Sequence, residues 1–571
     1  MASVVIGTKK KSPKSQHGGG VRGDSLDRRS SSFEGRFGRI FRSLPPAEWP
    51  KEALRKLGKA MTAEPEHVGK LPSASREDSK KRIQDDEENA GIPAGYTYLG
   101  QFIDHDITFD PESSLMQQND PDALVDFRTP RLDLDSLYGR GPADAPFMYT
   151  PDGRKFRLGR QLTENGKSSP AQDLPRFDDP ANGAKRALIG DKRNDENVII
   201  SQLHSAMLQL HNRFADEDRD ASFEKLQQTV RWYYQWIVVN DFLFKVCGDE
   251  VVRDILPHLG AGKPIWNNLP RFAFYKPHEE PFIPIEFSAA AYRFGHSMIR
   301  PIYRLNTQLA GGDNPEKATS DEEERGLAGR FFIFAGVQKR GLNGFGEFPS
   351  QWAIDWRLFF DIKNSISKLG KERVQPAYKI DSSLVNPLGF LPEFSKDPIP
   401  PNPPMTVAQL QSVPKDAEGD PANLAERNLL RGMSMGLPSG QSVAWAMGVE
   451  PIQDENLRVG KAVVADWDKN KVLASLDPSF TANAPLWFYV LAEAQYEWIQ
   501  KAKAKGSKGD EEPLKLGTVG ARIVAETLIG LLWNDGHSYL RQAPNWVPEH
   551  GIQNMGDLID FALTGTKAKH A

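Results

Sequence analysis

The 571-residue chain is long enough for a large core, and its 39% hydrophobic and 26% charged residues are ordinary for a globular protein. A formal net charge of −4 gives no electrostatic footprint for nucleic acid or an anionic membrane surface, and no run approaches the ~20 apolar residues of a spanning helix. The only cysteine, Cys247, excludes an intramolecular disulfide and a thiolate metal cluster.

The opening residues, MASVVIGTKKKSPKSQHGGG, carry too short an apolar run before the lysines for a secretory signal. The expected location is the cytoplasm, or outside the cell by a route that reads no N-terminal signal. Residues 1–35 are rich in Lys, Arg, Ser and Gly and read as a disordered, solvated arm. From 36 to 565 there is neither an internal repeat nor a composition break. This stretch is predicted to be one large helical domain, mainly α, with long loops and little β.

In chain order, the first informative segment is 98–110, YLGQFIDHDITFD. On a helix, Gln101, Asp104 and His105 sit at i, i+3 and i+4 and share a face, while Asp106 points about 100° away. In 128–139 (RTPRLDLDSLYG), Thr129, Arg131, Asp133 and Asp135 alternate, so an extended loop would turn their oxygens to one side. Such oxygens suit a hard cation. Segment 190–197, GDKRNDEN, places Arg193 and Glu196 three apart, just before a strongly periodic helix over 197–216. His204 and His211 on that helix lack a third ligand at suitable spacing and read as structural. A long aromatic helix is predicted over 224–247, and another over 284–299 that Pro301 stops. The latter holds His296, with Arg293 one turn before it and Ala289, Ala290 and Ala291 earlier. Pro-rich 397–404 is a loop. Residues 424–438, LAERNLLRGMSMGLP, hold Asn428 and Arg431, and 518–533 is an amphipathic helix.

GQFIDHD, the Tyr138-Gly139 pair, Gly190-Asp191-x-Arg193-x-x-Glu196 and Arg293-Phe294-Gly295-His296 together resemble the animal-type haem peroxidases of the peroxidase–cyclooxygenase superfamily. The resemblance runs from roughly residue 90 to 450. It implies haem b, with His105 as distal acid–base catalyst, Gln101 as a distal polar group and Arg193 as the distal arginine. It makes Asp104 and Glu196 the carboxyls esterified to haem methyl groups, and His296 the axial iron ligand. It also implies Ca²⁺ held by Asp106, Thr129, Arg131, Asp133 and Asp135. Arg293 would pair with a propionate, Asn428 would accept the Nδ1–H of His296, and Arg431 would approach the haem. Asn197 stands where some members carry a methionine that also bonds to haem, so a sulfonium link is excluded. Asp135 replaces a serine of mammalian members, and the pattern departs from theirs at Gly432 through Met435.

The implied activity is reduction of hydrogen peroxide with oxidation of a halide, a pseudohalide or a small aromatic donor, a chemistry suited to oxidative stress. A neutral His105 would move a proton between the two peroxide oxygens, and Arg193 would stabilise the charge that develops as their bond breaks. Two other readings attach to the same resemblance. One is a fatty-acid dioxygenase, whose relay tyrosine three residues before the proximal histidine is replaced by Arg293 here. The other is a non-catalytic adhesion or interaction protein, which the filled catalytic positions disfavour.

Overall fold

The computed structural model describes residues 35–63, 85–109, 125–126, 128–164, 167–178, 183, 185–261, 264–277, 280–309, 330–334, 341–389, 391, 421–509 and 512–567. The expected arm, except Gly35, and the Pro-rich stretch 397–404 lie outside the described residues. Helices dominate, as the periodicity predicts. The principal ones are α1 (Lys51–Met61), α2 (Gly95–Ile107), α3 (Val198–Glu217), α4 (Phe223–Ile237), α5 (Leu424–Ser434), α6 (Leu486–Ala504), α7 (Thr518–Asn534) and α8 (Met555–Thr564). Strands among the described residues are short. The largest sheet among them joins Gly35–Gly38, Val125–Asp126 and Ile283–Pro284, and an antiparallel pair, Ile302–Arg304 against Arg330–Phe332, leads directly into Ile333 and Phe334 of the site.

Polar side chains set several helix starts. Asn197 caps α3, its Oδ1 accepting from the amides of Ile199 (3.1 Å) and Ile200 (2.9 Å), which satisfies two of the orphan donors of the first turn. Asn423 caps α5 through the Glu426 amide, and Asn554 caps α8 through that of Asp557. α2 has no side-chain cap; it begins at Gly95, where a Cβ would lie 2.4 Å from the Phe360 ring. That close approach fixes the helix against the Phe359–Phe360 segment.

α2 packs on α3, α3 on α8, α1 on α5, and α6 on α7, around one contiguous apolar core. Two expected helices differ in form. The 224–247 run is helical throughout but widens to a π-turn over Val238–Phe242 before resuming at Leu243–Val246. The 284–299 run is not one helix. A short α-turn, Ile285–Ser288, ends at Ala289, Ala290 leaves the helical region (φ −136°, ψ −80°), and a 3₁₀ segment spans Ala291–His296. Alanine is the best helix former, so tertiary packing overrides propensity here: Ala289, Ala290 and Ala291 are all buried.

Candidate active site

Gln101, Asp104 and His105 of α2 line one cavity of about 510 Å³, together with Glu196 from the turn before α3 and Arg293, Gly295 and His296 from the 3₁₀ segment. Its outer walls are apolar, from Ile333, Phe334, Leu388 and Leu391 among others. The size and lining are those of a small-molecule or cofactor site.

His105 is buried, and its Nδ1 lies 2.8 Å from Asn194 Oδ1. A carbonyl oxygen only accepts, so Nδ1 carries the proton and Nε2 keeps its lone pair. Burial, then the charge of Arg193, lowers the His105 pKa to about 4, so the ring is neutral near pH 7. Asn194 does not figure among the sequence-predicted residues. Its only signal is its place between Arg193 and Glu196. Gln101 Nε2 donates to Glu196 Oε1, and Asp104 Oδ1 accepts from Thr108 Oγ1 at 3.0 Å. The first of these bonds joins the face of α2 to the turn that carries the second carboxylate, and the second is local to the end of the helix. Asn343 and Gly344 hold that turn from the other side: Asn197 and Asn343 form a β-bridge, and the Gly344 amide donates to the Glu196 carbonyl at 3.0 Å.

Arg193 is not where the resemblance puts it. It does not line the cavity. Its Nη2 donates to the carbonyls of Thr108 (2.6 Å) and His105 (3.0 Å) and to Asp191 Oδ2 (2.8 Å), and the guanidinium lies over the Phe109 ring. The reason is local. α2 ends with carbonyls that lack intrahelical donors, and buried Asp191 needs a counter-charge. Burial opposes ionisation of Asp191, but Arg193 and Arg128 outweigh it and hold that carboxyl well below its usual range. Arg193 thus caps the end of α2.

On the other side of the site, burial and then Arg293 lower the His296 pKa to about 3, which keeps its ring neutral. Asn428 meets it as expected, 2.8 Å from Nδ1, but through the amide nitrogen. The Asn428 Oδ1 instead accepts from Arg293 Nη1 at 2.8 Å, and Arg293 Nε donates to the Ser288 carbonyl. The expected polarity is therefore reversed, and Arg293 secures Asn428. Arg431, one turn further along α5, does not line the cavity.

Asp106, on the opposite face of α2, joins Asp133 and Asp135; an oxygen of each lies within 4.8 Å of the others. Thr129 Oγ1 donates to Asp133 Oδ2 (2.8 Å), and the Leu134 amide to Asp106 Oδ2 (3.1 Å), with Leu134 in the left-handed region at φ 58°. The Arg131 amide donates to the Thr129 carbonyl, which folds the loop back on itself. Burial, then Asp133, raises the Asp106 pKa to about 7, and Asp135 is also raised, by burial and then Asp133. Arg128 lies 3.3 Å from Asp135. Three buried or half-buried carboxylates that repel one another are a donor set for a hard divalent ion.

Residues 114–368 match the animal haem peroxidase family, a span that contains the acidic loop, Glu196 and His296 but begins after α2. A Caenorhabditis elegans haem peroxidase 2 is 26% identical over 41% of this chain and 39% of its own length, and a mouse myeloperoxidase is 27% identical over the same shares. The chain spans about two fifths of the length of these relatives. Peroxidase A of Dictyostelium discoideum superposes with a TM-score of 0.54 at 14% identity, covering 96% of both chains, and an Oryza sativa fatty acid alpha-dioxygenase gives 0.50 at 13%, covering 89% of this chain and 76% of its own. Residues 114–368 thus resemble the animal haem peroxidases, and nearly the whole chain shares the fold of the Dictyostelium discoideum peroxidase A.

Proposed function

We propose that the chain is a haem peroxidase that reduces hydrogen peroxide at the expense of a small anionic or aromatic donor. The observation that carries this reading is that two neutral histidines from separate elements, the buried His105 and the half-buried His296, line one cavity. The residues present fit haem. A Cβ built on Gly295 would meet no heavy atom of the described residues within 4 Å, which leaves space beside His296 where a flat macrocycle can lie. His296 would hold the iron, Arg293 would add positive charge to that wall, and Asp104 and Glu196 would face the ring as the two ester-forming carboxylates. Ligation through Nε2 calls for a proton on Nδ1, which Asn428 Oδ1 would accept only after a half-turn that gives up its bond from Arg293.

Bound haem supplies the two-electron redox chemistry; the protein handles the protons. Asn194 holds His105 in the tautomer whose Nε2 is a base. From there His105 takes a proton from one oxygen of hydrogen peroxide and returns it to the other. Gln101, tied to Glu196, offers a polar group beside it. Arg193 acts at one remove, fixing the end of α2 and keeping His105 unprotonated. A calcium ion among Asp106, Thr129, the Arg131 carbonyl, Asp133 and Asp135 would brace the other face of the helix.

The dioxygenase reading lacks its tyrosine. Arg293 holds the position three before His296, and the neighbouring Tyr292 donates to the Gly100 carbonyl at 3.2 Å. The test is to load the full chain with haem and assay peroxide reduction with iodide, bromide and a phenol. His105→Ala should keep haem and lose about 10²–10⁴ in rate, whereas His296→Ala should lose the haem spectrum. Unchanged peroxide kinetics in His105→Ala would sink the proposal.

A further inference from the structure

Asp241 is a buried carboxylate that the chemistry above leaves unused. It sits in the π-turn Val238–Phe242, and such turns recur at functional sites because they push one residue out of helical register. Its Oδ1 accepts from the phenol of Tyr96 at 2.7 Å, and its Oδ2 from the Met555 amide at 2.9 Å. Tyr96, on the first turn of α2, is buried and lines the same cavity as His105 and His296. Of its other neighbours, the buried Phe360 ring stands edge-on at 5.3 Å, and only Lys245 leads outward, its half-buried side chain placing the ammonium 5.8 Å over the Tyr96 ring. Among the described tyrosines that line the cavity, Tyr96 donates to a carboxylate, whereas Tyr292 donates to a neutral backbone carbonyl.

We propose that Tyr96 is a redox-active tyrosine and Asp241 its proton acceptor, together forming a second oxidising site between the haem cavity and the surface under Lys245. The inference rests on the peroxidase reading, because the oxidant is haem from which hydrogen peroxide has withdrawn two electrons. One electron passes from the Tyr96 ring to the haem, and the phenolic proton crosses the 2.7 Å bond to Asp241 Oδ1. The products are a neutral tyrosyl radical and a protonated carboxyl, with one oxidising equivalent left on the haem. A one-electron donor such as a phenol, too large to enter the cavity, then reduces Tyr96, and the proton returns from Asp241. The resting protonation states suit this. Burial, then Asp241, raises the phenol well above its usual pKa, and burial raises Asp241 only to about 6, so at neutral pH the donor is protonated and the acceptor ionised.

The test is electron paramagnetic resonance of the haem-loaded full chain, frozen within milliseconds of mixing with hydrogen peroxide. The wild type should show a tyrosyl signal that narrows when the tyrosines are ring-deuterated. Tyr96→Phe should remove it. Asp241→Asn should lower its yield by about tenfold or more, the weight of a charge-assisted hydrogen bond, and Asp241→Glu should restore it, which a purely structural carboxylate would not require. An unchanged signal in Tyr96→Phe overturns the proposal. So does a wild type whose haem spectrum responds to peroxide without any tyrosyl signal, an outcome that leaves the peroxidase reading intact. A haem spectrum that does not respond to peroxide removes the peroxidase reading and this proposal with it.

Discussion

The Asn428 side chain divides its two ends between Arg293 and His296, so one amide sets both the charge and the ring orientation on that side of the site. Truncating it would free both. Asn428→Ala should weaken haem retention or activity by about 10- to 100-fold, the usual cost of losing a partner that orients a metal-binding histidine. Titration of the apoprotein with haem measures it, and wild-type affinity and turnover together would show that His296 needs no such partner. The resemblance carried by GQFIDHD and RFGH nominated Gln101, Asp104, His105 and His296, where spacing alone would have read an acidic turn and a core histidine, and all four line one cavity. The direction of a long side chain was not legible. Arg193 has the reach to enter the cavity, yet unsatisfied carbonyls at the end of α2 and the buried charge of Asp191 draw it away. Asn194 was missed for a related reason: nothing in a short polar turn says which amide will meet a histidine 89 residues earlier.

α2 is the element on which the site turns, with the cavity on one face and the acidic cluster on the other. Removing calcium from the haem-loaded protein should therefore lower its melting temperature and shift the haem spectrum, because Asp106 adjoins His105. Affinity should also fall as pH drops below about 7, where Asp106 takes up the proton that burial and Asp133 favour. A fully active preparation free of calcium by metal analysis would show that the loop holds no ion. The cavity face makes a separate demand. Asp104 and Glu196 both line it, so after exposure to peroxide the haem should travel with the denatured polypeptide in chromatography, and Asp104→Asn should leave a single bond. Haem that extracts freely into acidified solvent would count against both esters. Asn197 has no sulfur with which to form a third link, and it caps α3 instead. Helix existence was legible from periodicity, as for α3 and α7. The break at Ala290 was not, because nothing local opposes a helix through three alanines.

Across the molecule, buried ionisable groups set how stability depends on pH. His204 is fully buried against the Phe102 ring, neither of its nitrogens has a hydrogen-bond partner among the described residues, and burial lowers its pKa to about 3. With the folded pKa below that of the unfolded chain, the unfolded state binds a proton that the folded state refuses. This contribution is therefore complete above about pH 6.5 and is lost as pH falls toward 3. His204→Leu should remove that dependence, making the variant relatively more stable by about 1.4 kcal/mol per pH unit through this window. Parallel denaturation curves for the two proteins at pH 5 and pH 8 test it, and an equal difference at both would refute the assignment. At this scale the mainly helical architecture was legible, whereas the pairing of distant segments was not.

That pairing has a kinetic consequence. Gln101 meets Glu196 across 95 residues, His105 meets Asn194 across 89, and His296 meets Asn428 across 132. Each contact closes a long loop, and its entropy must be met before the contact returns anything. The helices can form early and locally, but the cavity can be assembled only once the chain extends past Asn428. A cofactor that binds the finished cavity and not the open chain then favours the native state by mass action. On the proposed reading, haem capture would be the step that commits the chain to its final form, and a chain made without haem should dwell longest with these three contacts unmade.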